Sequence, residues 1–256
     1  MATEASNMEM VSLKGLRFSY PTRTESLFNV FSDLNLSVGK GEVVGLIGRN
    51  ASGKTTLLNV IRGTLIPQKG EVKIADTLVS RHGKRCKRPV VSIISQRPDA
   101  GLAPTMTVYE NYIFAKEHKL SLNWAYTSRR RKACMKLLAK AKMGLEGKID
   151  EQVRFLSGGQ QQALSILLEL EFPNPLLLMD EPTAALDPYV ATEVLDLALK
   201  ELASKNGTII FVSHRLRDIL ERCQRIIVLG NCNIIHDIKE DINKISEKDI
   251  LGMMGD

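Results

Sequence analysis

The sequence lacks any apolar run long enough to cross a membrane. Its longest strongly apolar stretches, PLLLM at 175–179 and TIIFV at 208–212, have the length of strands, whereas a membrane-spanning helix needs about 18 or more such residues. The N-terminal sequence MATEASNMEM also lacks the charged start and apolar middle of a signal peptide. We therefore expect a cytoplasmic protein in which residues 1–10 form a flexible tail.

Cysteine motifs are also absent. The four cysteines stand at positions 86, 134, 223 and 232, and no C-x-x-C pattern occurs. Zinc clusters and redox-active dithiols use such closely spaced pairs. The spacing therefore predicts isolated, reduced thiols and no cysteine-bound metal.

Positive charge is in excess, which by itself would permit nucleic-acid binding. The basic clusters, however, lack the interleaved aromatic residues that stack on bases. The net charge is +6, with basic clusters in RHGKRCKR (81–88) and SRRRKACMKLLAKAK (128–142). The first cluster reads as an exposed loop, and the second as a helix with Leu137, Leu138 and Ala141 facing the core. Because no aromatic residues are interleaved to stack on bases, a solvated face is favoured, and contact with an anionic membrane surface is the next alternative.

The composition is that of an ordinary globular protein. The chain has 256 residues, of which 44% are hydrophobic and 25% charged, and this length allows one or two globular units with a real core. Helical and strand patterns alternate along the chain, which predicts an α/β fold.

A glycine-containing loop carries the clearest chemical signal. GEVVGLIG (41–48) predicts a short buried strand, and TTLLNVIRG (55–63) predicts a helix with Leu57, Leu58 and Ile61 on one face. The connecting sequence fits G-x-x-x-x-G-K-[ST], a loop whose backbone N–H groups and following helix N-terminus bind phosphates. The residues expected to bind a nucleoside triphosphate here, which the family resemblance described below implies is ATP, are Gly48, Arg49, Asn50, Ala51, Ser52, Gly53, Lys54, Thr55 and Thr56. Lys54 would reach the β- and γ-phosphates, and Thr55 would offer its hydroxyl to Mg²⁺.

A second chemical site follows an apolar strand. LLLMDEP (176–182) ends in Asp180 and Glu181, and carboxylates at the carboxyl end of a strand are well placed beside a phosphate loop on a neighbouring strand. We expect Asp180 to hold Mg²⁺ and Glu181 to polarise the water that attacks the γ-phosphate.

The stretch FLSGGQQQALSILL (155–168) contains Leu156, Ser157, Gly158, Gly159 and Gln160. This string resembles the signature sequence of ATP-binding cassette (ABC) ATPases, and it stands between the phosphate loop and Asp180, as it does in that family. The resemblance implies that these five residues bind the ATP held by a partner protomer. It covers approximately residues 10 to 235.

The same resemblance assigns roles to further residues. Gln96, in SIISQRP, matches the glutamine that senses the γ-phosphate and Mg²⁺, and Asp187 matches the loop that crosses the dimer interface. His214, in FVSHRL, matches the switch histidine that orients the attacking water. Tyr20, in RFSYP, matches the aromatic residue that stacks on adenine, although Phe18 two residues away leaves an ordinary core aromatic as the alternative.

Two positions depart from the family pattern. Ala51 stands where many members have glycine in the phosphate loop, and its methyl group restricts φ. Ala163 stands where most members carry arginine shortly after the signature, which removes a usual ion-pair partner. Neither change touches a catalytic group, so we expect ATP hydrolysis to persist.

The resemblance also implies a fold and a domain organisation. We expect the ABC type of P-loop NTPase in 11–236, with a parallel-sheet core, an antiparallel β subdomain that includes 70–80, and an inserted helical subdomain at about 98–165. Residues 237–256 read as a polar tail with a short amphipathic helix that begins near Ser246.

A single cassette without membrane spans or long heptad regions resembles the detachable ATPase subunit of a transporter. The resemblance implies two ATP molecules sandwiched in a homodimer, or in a pair with a second cassette subunit, at the inner face of the membrane, and a separate permease as partner. APTMTVYENY (103–112) and the signature region resemble a bacterial importer group that also uses an extracytoplasmic binding protein, some of whose members are associated with aromatic amino acid uptake. This chain would not contact the cargo.

Two other functions remain open at this stage. The basic clusters are compatible with a non-transport ABC ATPase that acts on nucleic acid or a protein complex. A nucleotide-binding regulator with little turnover is the other alternative, although Glu181, Gln96 and His214 together argue against it.

Overall fold

The computed structural model describes residues 8–22, 27–95, 101–117, 127–171, 175–183 and 186–255. The chain divides into two compact units. The first comprises Met1–Val91, Pro175–Asp180 and Asn206–Asp256, and the second comprises Ser92–Asn174 and Glu181–Lys205.

The strands, of which β7 belongs to the second unit and the others to the first, are β1 (Glu9–Pro21), β2 (Leu27–Gly39), β3 (Val43–Gly48), β4 (Lys69–Ile74), β5 (Thr77–Arg81), β6 (Lys84–Arg85), β7 (Ser92–Ile94), β8 (Leu176–Asp180), β9 (Thr208–Val212), β10 (Arg225–Gly230) and β11 (Asn233–Ile238). The α-helices of the described residues are α1 (Lys54–Ile61), α2 (Val108–Glu117), α3 (Ser128–Leu138), α4 (Gly158–Leu170), α5 (Pro188–Ser204), α6 (Leu216–Arg222) and α7 (Glu247–Gly255). None of these helices combines the length and the apolar composition that a membrane span requires.

In the first unit, β11, β10, β3, β9 and β8 lie side by side in that order. The pairs β10–β3, β3–β9 and β8–β9 are parallel, and β11 runs antiparallel to β10. Every residue of β9 is buried, and so are the four central residues of β3. Such continuous burial is typical of parallel strands that are covered on both faces, and it confirms the predicted parallel core. Helix α1 contacts β3, β4 and β8, and it buries Leu57, Leu58 and Ile61 as predicted.

The antiparallel sheet of the first unit has the strand order β2, β1, β4, β5, β6. The stretch 81–88 was predicted to be a loop, and this is wrong at β6, which pairs with β5 across a two-residue turn. His82 and Gly83 have φ angles of 45° and 79° in that turn, the left-handed geometry that two-residue hairpins require. The basic side chains of residues 84–88 are exposed, as expected.

The second unit consists mainly of helices, and α4 contacts β7, α2, α3 and α5. The predicted helix at 128–142 is an α-helix only to Leu138 and continues as a 3₁₀ turn over Ala139–Ala141. Its predicted core residues Leu137, Leu138 and Ala141 are buried. Ala163, where the family pattern has arginine, lies in α4 with no exposed surface, so this position serves the packing of the helix.

The four thiols are unpaired, in agreement with the prediction. Burial raises the pKa of Cys134 and of Cys223 to about 12. Both thiols are therefore neutral at physiological pH and contribute as small apolar groups.

Candidate active site

The phosphate loop connects β3 to α1, as the sequence predicts. Gly48, at the end of β3, has φ 154°, and a Cβ atom there would lie 2.5 Å from both the Leu229 carbonyl oxygen and Ser52 Oγ. Gly53, which precedes α1, has φ 98°, and its Cβ would lie 2.7 Å from Val30. Only glycine fits at these two positions, and the loop consequently turns tightly over the start of the helix.

The interior of this loop has the chemistry of an anion site. Lys54 donates hydrogen bonds to the carbonyl oxygens of Gly48 at 2.7 Å and Arg49 at 3.0 Å, so its ammonium group lies over the loop. Ser52 Oγ is buried and has no hydrogen-bond partner among the described residues. A hydroxyl donor, a lysine and the N-terminus of α1 at one turn are the groups that a phosphate requires. The residues of the loop therefore fit the phosphates of ATP.

Ala51 has φ 65°, in the left-handed region that glycine tolerates and alanine adopts only at a cost of about 1–2 kcal/mol. Ala51, where many family members have glycine, thus has a strained backbone. Its methyl group finds space because the residue is exposed.

Tyr20 and Phe18 occupy different environments. Phe18 is buried and packs edge-on against Tyr20, with ring centroids 4.9 Å apart. Tyr20 is 38% exposed, and its hydroxyl lies 3.3 Å from Thr56 Oγ1 at the start of α1. Phe18 is therefore the core aromatic residue, and Tyr20 is the one accessible to a ligand.

Asp180 and His214 follow the carboxyl ends of parallel strands next to the phosphate loop. Asp180 ends β8 and is in register with Val212 of β9, which in turn pairs with Leu46 of β3. His214 is exposed two residues beyond β9. It faces a cavity of about 480 Å³ that Lys54, Arg49 and Asn50 also line. The fold of the first unit thus brings His214 and the phosphate-loop residue Lys54 to one cavity.

The C-terminal helix supplies further walls of this cavity, which the sequence motifs do not indicate. Leu251 and Met254 of α7 line it beside His214. The helix is held by Ile250, which has no exposed surface, and by Ser246 and Asp249, whose side chains each accept a hydrogen bond from the other's backbone N–H. That Ser-x-x-Asp pattern is the signal in the sequence for the start of α7.

In the second unit, Glu181 has φ 53°. A left-handed conformation is rare for a glutamate and persists only where the surrounding structure fixes it, and such residues are concentrated at functional sites. The residue that the sequence analysis predicts to polarise the attacking water thus has a rare backbone conformation.

The signature residues form the N-terminus of α4. Ser157 Oγ accepts from the Gln160 backbone N–H at 3.2 Å, and the Gln160 side-chain oxygen accepts from the Ser157 N–H at the same distance. This capping box fixes the start of the helix. Leu156 is buried, Ser157 and Gly158 are exposed, and a Cβ at Gly158 would meet no atom within 4 Å. The signature therefore presents an open helix N-terminus.

Other predicted site residues have different surroundings or fall outside the description. Asp187 caps α5 by accepting from the N–H groups of Tyr189 at 3.2 Å and Val190 at 3.1 Å. Thr55 is exposed at the start of α1. Gln96 lies outside the described residues.

Comparison with known proteins gives consistent results. A family profile described as "ABC transporter" matches residues 31–184. The "Tyrosine transport ATP-binding protein" of Clostridioides difficile is 33% identical over 232 residues, which are 90% of this chain and 92% of that protein. An "Energy-coupling factor transporter ATP-binding protein" of Fusobacterium nucleatum is 34% identical over 226 residues, 88% of this chain and 80% of that protein.

Solved structures show the same likeness. A dimeric ATP-binding cassette in a post-hydrolysis state with ADP and Pi superposes with a TM-score of 0.77 and 27% identity, covering 91% of this chain and 99% of that chain. Its fold is the one that the sequence analysis predicted for this chain.

Proposed function

We propose, since this chain belongs to the ABC transporter family, that it is the ATP-hydrolysing subunit that drives import through a separate membrane permease. ATP binding and hydrolysis are the activity of the family. One observation supports this function above all others. The phosphate loop, whose tight turn requires Gly48 and Gly53, lines the same cavity as His214.

The first unit would bind the nucleotide. The N–H groups from Gly48 to Thr56 would surround the phosphates, with Lys54 on the β- and γ-phosphates, and Tyr20 would stack on adenine. Thr55, Gln96 and Asp180 would hold Mg²⁺ through hydroxyl, amide and carboxylate oxygens, the ligands it prefers, and the ion would supply positive charge to the β- and γ-phosphates.

Hydrolysis would depend on Glu181 and His214. Glu181 would accept the proton of the attacking water, and His214 would orient that water and contact the γ-phosphate. The reaction is therefore an in-line attack of water on the γ-phosphate, to which the protein contributes the orientation of the reactants and the surrounding charge.

Two copies would complete each ATP site. Leu156 to Gln160 present a capped helix N-terminus, which favours an anion such as a γ-phosphate, and Asp187 would lie at the dimer interface. The dimeric cassette described above supports this arrangement. ATP binding would close the pair, and hydrolysis would open it.

The name of one relative, a methionine import ATP-binding protein, supports import. The names of two others, of tyrosine transport and of an energy-coupling factor transporter, support transport. We infer that this chain lies on the inner face of the membrane against a permease, with an extracytoplasmic binding protein in the complex and an amino acid as cargo. The chain itself would not touch the cargo.

The substitution Glu181→Gln tests the mechanism. It keeps the shape of the side chain and removes the charge that polarises water, so hydrolysis should fall by about 10²- to 10⁴-fold. Binding should survive, and the purified variant should run as a dimer with ATP and as a monomer with ADP in size-exclusion chromatography at low salt. Glu151→Gln, an exposed glutamate of the same unit, should hydrolyse ATP at the wild-type rate.

Two results would count against the mechanism. Full activity of the Glu181 variant would remove this residue as the base, and equal dimerisation with ADP would reject closure driven by the γ-phosphate. Recovery of the tagged protein from membranes with a permease supports transport, whereas stable association with RNA or DNA would favour the non-transport function.

A further inference from the structure

Gln162 lies one turn into α4, beyond the signature, and is 1% exposed. Its side-chain Nε2 donates to the Pro182 carbonyl oxygen at 2.6 Å and to the Ser95 carbonyl oxygen at 3.3 Å. All three residues belong to the second unit. One buried amide therefore joins α4 to two other chain segments.

Both segments border residues with a proposed role in hydrolysis. Pro182 follows Glu181 directly, and Ser95 directly precedes Gln96. The signature residues begin the same helix that carries Gln162. The side chain thus links the helix that would contact the partner's γ-phosphate to the backbone beside the base.

Burying the polar side chain of Gln162 costs free energy, and packing alone does not explain why a polar residue is found there. Gln162 Oε1 is buried with no hydrogen-bond partner among the described residues, and an unsatisfied buried acceptor costs about 1–3 kcal/mol. An apolar side chain of similar volume would avoid this cost. The two donated hydrogen bonds are what the amide provides in return.

The strained backbone of Glu181 explains why those bonds matter. Its φ of 53° requires neighbouring groups to hold it, and the short bond to the Pro182 carbonyl oxygen fixes the peptide unit between Pro182 and Thr183, one residue beyond Glu181. We propose that Gln162 is a positioning residue, which holds the Glu181 backbone and the segment before Gln96 in the geometry for hydrolysis and transmits the position of the signature helix to them. This inference depends on the proposed role of Glu181.

The test is Gln162→Met, which keeps the length and apolar volume of the side chain and removes the donor. Because small displacements of a catalytic group cost up to about 100-fold in rate, kcat for ATP should fall by about 10- to 100-fold. KM for ATP and the affinity for ADP should stay within about twofold, since the two acceptors of the Gln162 amide, Ser95 and Pro182, are not residues of the phosphate loop.

Asn111→Leu is the matched control. Asn111 is also buried in the second unit, and its Nδ2 donates to the carbonyl oxygens of Ala103 at 3.1 Å and Thr107 at 2.9 Å. These bonds end at neither catalytic segment. The control loses buried hydrogen bonds and should lower the thermal midpoint, yet retain kcat within about threefold.

Wild-type kcat in Gln162→Met would overturn the inference, as would an equal loss of kcat in Asn111→Leu. Should Gln162→Met fail to fold, Gln162→Asn, which keeps the amide but shortens its reach, must show the same fall in kcat at constant KM, and wild-type kcat there overturns the inference. Glu181→Gln, measured in parallel, separates the two proposals: an active Glu181 variant rejects the assigned base, whereas an inactive one beside a normal Gln162 variant rejects only the positioning role.

Discussion

At the scale of single residues, two members of the candidate site have backbone conformations that residues other than glycine rarely adopt. Ala51 in the phosphate loop has φ 65°, and Glu181 after β8 has φ 53°. Strain of this kind is concentrated where function requires a fixed geometry. The two residues differ in an important respect, because the side chain of Glu181 has a proposed chemical role and the methyl group of Ala51 has none.

Ala51→Gly should therefore stabilise the protein. Removing the strained Cβ gains about 1–2 kcal/mol, and the greater freedom of the unfolded chain offsets about 0.4–1 kcal/mol of this. We expect a net rise of about 0.5–1 kcal/mol in the free energy of unfolding, measured by urea denaturation. ATP affinity should remain within a few-fold of the wild-type value, since the N–H groups of the loop are retained.

The same substitution at Ala133 serves as the control. Ala133 is exposed in α3, where glycine costs about 1 kcal/mol relative to alanine. Opposite signs for the two variants are expected. A loss of stability at both positions would show that the loop does not strain Ala51.

At the scale of elements, a buried arginine of β10 joins this strand to β11 and to other residues of the first unit. Arg225 donates from Nε and from one terminal nitrogen to the two oxygens of Asp237, both at 2.7 Å, and it also donates to the Ser37 carbonyl oxygen and Glu42. The paired guanidinium lowers the pKa of Asp237 below its usual value. Hydrogen bonds of this bidentate kind are among the stronger ones in proteins.

Asp237→Asn should lower the free energy of unfolding at pH 7 by about 1–2 kcal/mol, a modest value because Asp237 is partly exposed and Arg225 keeps Glu42. Since the folded-state pKa is depressed, the carboxylate contributes its full stability above its unfolded pKa and loses it as the pH falls through the folded value. The stability difference between wild type and variant should thus shrink below about pH 3.8.

Urea denaturation at pH 7 and at pH 3 measures this difference. Asp76→Asn, at an exposed carboxylate in the turn before β5, should leave the stability nearly unchanged. A difference for Asp237 that stays constant over the whole range would show that its charge is not what stabilises the hairpin.

At the scale of the whole molecule, the proposed composite site predicts complementation between two inactive variants. Lys54→Ala removes the cation on the β- and γ-phosphates, and Ser157→Arg places a bulky cation where the partner's phosphate would lie. Each variant alone should hydrolyse ATP negligibly. A mixed dimer, however, pairs the intact phosphate loop of one copy with the intact signature of the other.

Mixing equal amounts of the two variants should restore activity. If half of the dimers are mixed and each has one intact site of two, up to about one quarter of the wild-type rate returns. A double variant with both changes in one chain should restore no ATP hydrolysis when it is mixed with Lys54→Ala, because no copy in that mixture has an intact phosphate loop. Normal hydrolysis by Ser157→Arg alone would reject the composite site.

Sequence alone determined those parts of the site that are contiguous in the chain. The strand–loop–helix around Lys54 and the strand that ends at Asp180 are present as predicted. Their geometry follows from local chemistry: glycines that permit φ angles closed to other residues, and buried residues at the period of each element. The exposed pair Lys84 and Arg85 shows the limit of such reasoning, since a two-residue strand has too few residues to display a period.

Only the tertiary structure decided which distant segments meet. Nothing in the sequence indicates that Leu251 and Met254 line the cavity of Lys54 and His214. Likewise, no motif in the sequence indicates that Gln162 is buried or that it donates hydrogen bonds to carbonyl oxygens 20 and 67 residues away. The periodic spacing of apolar residues predicts which side chains are buried. Which atoms a buried side chain then meets depends on packing that closes long loops, and the sequence of a single element carries no record of that packing.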